Sequence, residues 1–214
     1  MADPRPWNDD PPGSQQQIGT NILALGPQFQ ADASSRPLPT IALAQDWHRA
    51  VYAGVQLPEP YYAGEIRDSD LRFPALDGYE VQVGGLLGTP SKDVPAELAQ
   101  LETRIQTVSA RLDAAVPVGA PPSDDATLRA VIATCGNVHG EWVRIHPFAN
   151  GNGRTARLWT TWIGLRYGLP PFIQIRPRPA GQPYAAAAVA SMRGDHRLCI
   201  LVFEQMLRTK LGQP

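Results

Sequence analysis

The sequence predicts a mainly α-helical domain carrying one small β-hairpin. Apolar residues recur every three to four positions over most of the chain, and such spacing places them on one helical face. Alternation with period two occurs in one short stretch, which runs into a Gly-Gly pair. At 214 residues, 43% hydrophobic and 18% charged, the chain is long enough for one ordinary domain with a real core.

The elements follow in order. Residues 1–36 are rich in Pro, Gly, Gln, Asp and Ser and read as an irregular N-terminal tail, with "IGTNILAL" as a short ordered piece. Residues 37–214 read as the domain. Ile41, Ala44, Trp47 and Val51 give a helix over about 40–54. "GYEVQVGGLLGTP" alternates Tyr79, Val81 and Val83, meets Gly84-Gly85 and continues, which is a hairpin. Pro95 opens the next helix, where Leu98, Leu101, Ile105, Val108 and Leu112 step 3-4-3-4. Ser123, Asp124 and Asp125 supply the N-terminus of another. Its apolar stripe, Leu128, Val131 or Ile132, Cys135, Val138 and Trp142, runs to about Ile145. Leu158, Trp162 and Leu165 continue a helix to Tyr167-Gly168. A short helix starts at Pro183. The last, about 196–211, carries Leu198, Ile200, Leu201, Phe203, Leu207 and Leu211.

Composition excludes several classes of function. The formal net charge of −1 argues against a general nucleic-acid binder. No apolar run reaches the length of a membrane span, and the start lacks a basic region followed by an apolar one, so a common secretory signal is not expected. Cys135 and Cys199 lie in apolar helical patterns and read as reduced core thiols. The five tryptophans read as core rather than as a platform for bases. "RPRP" near 176–179 reads as a loop, His139 as structural, Glu141 as a solvated helix residue, and Arg67 equally as an ion-pair partner or a site neighbour.

The stretch that carries chemistry is "IHPFANGNGRTAR", residues 145–157, between two helices. Glycines let the backbone approach a ligand closely. The following helix N-terminus offers unpaired N–H groups and a positive dipole end, a ready anion pocket. Arg154 and Arg157 are three apart and share one face of the first turn, matching phosphate geometry. His146 stands on the rim, where a neutral imidazole can take a proton from a hydroxyl nucleophile. The stretch is not a P-loop, since the G-x-x-x-x-G-K-[ST] spacing is absent. Nor do the four histidines give a zinc-ligand spacing.

These residues resemble the signature of the Fic family, H-P-F-x-[D/E]-G-N-G-R-x-x-R. Eight fixed positions match, a chance of roughly 10⁻¹¹ per start position at ordinary residue frequencies. "AGEIRD" resembles the family's G-x-[YF]-R segment, with Ile66 where an aromatic is usual. "VQVGGLLGTPSKDVPAELAQL" resembles the flap hairpin and its following helix, and "YGLPPF" and "YAAAAVASMRGDHRLCILVFEQML" the C-terminal helices. The resemblance covers about 40–210 and implies a Fic-type helical bundle with a small β-hairpin flap.

It also implies a protein adenylyltransferase that moves AMP from ATP to a Tyr, Thr or Ser hydroxyl of a target protein. His146 would be the general base. Gly151, Asn152 and Gly153 would hold the α- and β-phosphates, Arg154 the β- and γ-phosphates, and Arg157 the γ-phosphate end. The flap, Val81, Gln82, Val83, Gly84, Gly85, Leu86 and Leu87, would hold the target segment by strand addition. The metal position, an acid in the family, is Asn150 here. It offers a neutral oxygen to Mg2+ (or Mn2+), which prefers charged oxygens. A slow or metal-altered transferase follows as the expectation. The alternatives are a catalytically weak protein-binding module, or a Fic transferase using another phosphate-containing donor. No glutamate has Ser or Thr four residues before it, so the family's inhibitory motif [ST]-x-x-x-E-[GN] is not visible: either an antitoxin-like partner supplies that helix, or Asn150 makes inhibition unnecessary, or regulation differs. The expected location is the cytoplasm, or that of an exported effector.

Overall fold

A computed structural model describes residues 6–213. Among the described residues, eight α-helices surround one core, with a two-stranded sheet at one side. The central element is α5, Asp125–Ile145. Against it pack α4 (Val94–Ala115), α6 (Asn152–Arg166), α7 (Gln182–Met192) and α8 (Arg197–Lys210). The opening of α5 is fixed by Asp124, whose carboxylate accepts from Thr127 N–H at 2.8 Å. Helix α3 (Ile41–Val51) is capped at Thr40 and buries Ile41, Ala44, Trp47 and Val51, the stripe read from the sequence. All five tryptophans are buried, and Trp47, Trp142, Trp159 and Trp162 form one aromatic cluster between α3, α5 and α6. Both cysteines are buried and free.

Three expectations are corrected. The mostly irregular tail expected over residues 1–36 contains two helices: α1 (Gln15–Ala24), which covers most of the expected ordered piece "IGTNILAL", and α2 (Gly26–Ser35), which was not expected. Residues 1–5 of that segment lie outside the described residues. Ile18, Leu25, Phe29 and Ala33 are buried, and tertiary packing outweighs a composition poor in helix formers. Trp162 Nε1–H donates to Asp32 at 3.2 Å, and the Asn21 amide donates to the carbonyls of Val51 and Ala53. Second, Val108 stands outside the core, and Ser109 takes its place in the buried stripe of α4. Third, α8 buries Cys199, Val202, Phe203 and Leu207, while Leu198, Leu201 and Leu211 face outward.

The hairpin is as expected. β1 (Gln82–Val83) pairs antiparallel with β2 (Leu86–Leu87), in register Gln82↔Leu87 and Val83↔Leu86. Gly84 and Gly85 both take positive φ, 55° and 82°, as a two-residue hairpin turn requires.

Candidate active site

The site forms where α5 ends and α6 begins. His146 caps α5 in the left-handed region, with φ 53° and ψ 58°, so the chain turns sharply there. Its Nδ1 lies 2.5 Å from Val143 O. A carbonyl only accepts, so Nδ1 carries the proton and Nε2 keeps its lone pair. Burial, partly opposed by the Val143 hydrogen bond, pushes the imidazole down to about 4. His146 is therefore neutral at pH 7, with a base nitrogen ready.

Arg67 holds this corner together. It is fully buried and donates to four carbonyls: His146 (2.8 Å), Ile145 (3.0 Å), Tyr79 (2.7 Å) and Thr89 (3.0 Å). The last two flank the hairpin, so one guanidinium ties the flap to the end of α5. Both readings that Arg67 has from sequence hold: it holds the corner beside His146, and it pairs with the half-exposed Glu80 at 3.7 Å. Gly88 follows β2, and a Cβ on it would meet His146 Cβ at 3.0 Å. The flap itself is exposed, Val83 at 45% and Leu87 at 69%.

The loop between the helices is closed by Asn152. Its amide oxygen accepts from Phe148 N–H at 2.9 Å and its amide nitrogen donates to Phe148 O at 2.8 Å. Gly151 has φ 77°, and a Cβ there would meet Tyr52 Oη at 2.6 Å and His48 Nε2 at 2.8 Å. Only glycine fits. Gly151 N–H is taken by Asn150 Oδ1 at 2.6 Å. The Asn152 and Gly153 N–H groups have no partner among the described residues and form the open N-terminus of α6.

The two arginines differ in setting. Arg154 pairs with Asp10 at 2.6 Å, both side chains largely buried, and also contacts Tyr52 Oη. Arg157 is 6% exposed and has no carboxylate within ion-pair distance among the described residues. Its Nε donates to Ile175 O at 2.9 Å and Nη1 to Tyr184 Oη at 3.2 Å. Nη1 also lies 3.4 Å from where a Gly153 Cβ would stand, beside the helix start. Burial depresses its proton affinity, and the guanidiniums of Arg154 and Arg178 push the same way. A buried cation without a counter-ion is costly, and an anion at this helix end would relieve it.

Asp10, Tyr52, Tyr184 and His48 were not singled out from sequence as site residues. They reach the site across long stretches of chain, and no local pattern marks them. Glu141, read as a solvated helix residue, is instead engaged by Arg144 at 2.8 Å and His196 at 3.3 Å.

The chain's own donors do not fit a resident magnesium ion. Asn150 offers one neutral oxygen, already turned onto Gly151 N–H. Among the described residues no group of three His, Cys, Asp or Glu is arranged to hold a metal.

Comparison with known proteins places this arrangement in a class. The Fic/DOC family model matches residues 39–163, from α3 through most of α6. The chain belongs to the Fic/DOC family. Among curated proteins it is similar to the protein adenylyltransferase fic-1 of Caenorhabditis elegans, 41% identical over 35% of this chain and 15% of that protein. The Caenorhabditis briggsae counterpart is 42% identical over 34% and 13%. The match thus spans under one sixth of either relative's length. Among solved structures, the BepC protein of Bartonella tribocorum with bound AMPPNP matches with TM-score 0.64 at 16% identity, over 92% of this chain and 87% of that one. Fic-1 of C. elegans matches with TM-score 0.57 at 22% identity, over 91% and 49%. At these identities the structures establish the shared fold. Among the described residues no helix is long and apolar enough to cross a membrane.

Proposed function

We propose that the chain is a protein adenylyltransferase that moves AMP from ATP to a Tyr, Thr or Ser hydroxyl of a target protein. The observation that carries this is the meeting of a neutral base with an anion seat. His146 presents an unprotonated Nε2. Close by in the chain stand the open N-terminus of α6 and the buried Arg157, a cation without a carboxylate partner among the described residues. In this reading the α- and β-phosphates lie against the Asn152 and Gly153 N–H groups and the terminal phosphates against Arg154 and Arg157. The target segment adds a strand to the exposed flap, Val81–Leu87, which brings its hydroxyl to His146. Nε2 takes the hydroxyl proton, the hydroxyl oxygen bonds to the α-phosphorus, and the bond from that phosphorus to the bridging oxygen breaks. Pyrophosphate leaves with the electron pair.

Asn150 supports a second reading. With a neutral amide at the family's acid position, the same fold could serve chiefly to bind a protein through its flap, or use another phosphate-containing donor. An antitoxin-like inhibitor remains a candidate partner in either case. The test is incubation of the purified chain with ATP labelled at the α-phosphate, magnesium or manganese, and a cell lysate, beside His146→Ala. Label on a protein band that disappears in the variant supports adenylyl transfer. No label with either metal, from folded protein, sinks it and favours the binding module.

A further inference from the structure

Arg157 is held from behind by a chain of buried side chains whose direction can be worked out atom by atom. A guanidinium only donates, so Tyr184 Oη accepts from Arg157 Nη1 at 3.2 Å. The tyrosine proton must then go elsewhere, and the partner in reach is His139 Nε2 at 2.9 Å. That nitrogen must accept, so the ring proton sits on Nδ1, which faces Cys199 Sγ at 3.4 Å. The assignment needs a neutral His139. Its ring is 1% exposed, and burial together with the charge of Arg157 pushes it down to about 3. Tyr184 is itself only 3% exposed. Its ring meets His139 edge-on at 5.6 Å, and the Arg178 guanidinium lies 5.6 Å from its ring centre. The hydroxyl thus has one acceptor and one donor, and no freedom to swing away from Arg157.

We propose that Tyr184 and His139 are positioning residues for nucleotide binding: the Tyr184 hydroxyl, oriented by His139, aims Arg157 at the terminal phosphate and so sets the preference for a nucleoside triphosphate over a diphosphate. This rests on the reading of Arg157 as a phosphate ligand. Neither residue reacts; both act through Arg157. The Tyr184→Phe change leaves the ring and its packing in place and removes the oxygen. The Arg157 Nη1–H and the His139 Nε2 then both lose a buried partner, and the guanidinium is free to tilt.

The test is calorimetric titration of the full chain with ADP and with an ATP analogue whose β–γ bridge resists cleavage. Wild type, Tyr184→Phe, His139→Leu, His139→Gln and Arg157→Lys are compared, each with its unfolding midpoint. The proposal expects Tyr184→Phe and His139→Leu to lose about tenfold in affinity for the triphosphate while ADP affinity stays within about twofold. His139→Gln, whose amide oxygen still accepts from the hydroxyl, restores most of the preference. If Tyr184→Phe keeps the wild-type ratio while Arg157→Lys loses it, the positioning role is wrong and the phosphate reading stands. Equal loss for both nucleotides in Tyr184→Phe means support of the fold alone, and overturns the proposal. A ratio unchanged in Arg157→Lys, or no nucleotide bound by wild type, overturns the reading of Arg157 and the proposal with it.

Discussion

Asn150 and His146 set what individual residues contribute. A carboxylate at position 150 would add charge where the chain now offers an amide oxygen bonded to its own loop. Asn150→Asp is expected to raise labelling of a target in magnesium by about tenfold or more; equal or lower labelling would count against Asn150 as the weak point. His146 gives a pH signature. Its imidazole sits at about 4, so the base form is complete well below neutrality. The kcat/KM profile should stay level from pH 8 down to about 5 and fall as pH drops through about 4; a limb near 6.5 would mean an exposed imidazole instead. The sequence displayed His146, Asn150, Arg154 and Arg157 because a short contiguous motif fixes their spacing. It could not display Tyr184, 27 residues from Arg157, or Asp10, 144 residues from Arg154. Those pairings exist only once the bundle has closed, and a lone Tyr or Asp carries no mark of what it will touch.

At the scale of elements, α3, α4, α5, α6 and α8 were legible because each has an apolar stripe; α3 and α5 also have a side-chain cap, α4 has a proline at its start, and α7 was legible from Pro183. The hairpin was legible from its Gly-Gly turn. Helix α1 was legible only as the short ordered piece "IGTNILAL", and α2 not at all. Their buried residues, Ile18, Leu25, Phe29 and Ala33, are few and set among Gln, Gly and Pro, so propensity favours a loop until the core offers a surface. The exit of β2 toward α4 packs against His146. Gly88 N–H donates to Val81 O at 2.9 Å, and its Cα faces His146. Gly88→Ala would press a methyl against His146 Cβ at 3.0 Å and displace His146 or the flap. Transfer to target should fall by about tenfold while nucleotide affinity, measured by titration, stays near wild type. Retained transfer would show that the corner yields without consequence.

For the molecule as a whole, three buried histidines make folding sensitive to acid. His48 and His139 are pushed down to about 3 and His146 to about 4, in each case chiefly by burial. Their ordinary value is 6.5. Between 6.5 and those depressed values the unfolded chain binds protons that the folded chain refuses, so stability is full above about pH 6.5 and is lost as pH falls toward 4. Each histidine contributes on the order of 1 kcal/mol per pH unit in that window. Urea unfolding at pH 7 and pH 5 measures it; equal midpoints would contradict the burial of these rings. The N-terminal segment also bears on the site. Asp10 occupies Arg154; under the proposed function an arriving phosphate competes with that carboxylate, and Asp10→Asn should tighten nucleotide binding by about three- to tenfold. Four indoles lie together in the core, whereas Trp7, three residues before Asp10, is wedged against Tyr52 at 4.7 Å and Tyr62 at 6.1 Å and is 2% exposed. That gives the protein an optical reporter of its own. If phosphate takes Arg154 from Asp10 and the segment lifts, Trp7 passes from an aromatic wall into water and its emission moves to the red, leaving the other four unchanged. The occupancy of Arg154 can then be followed by light, without a label.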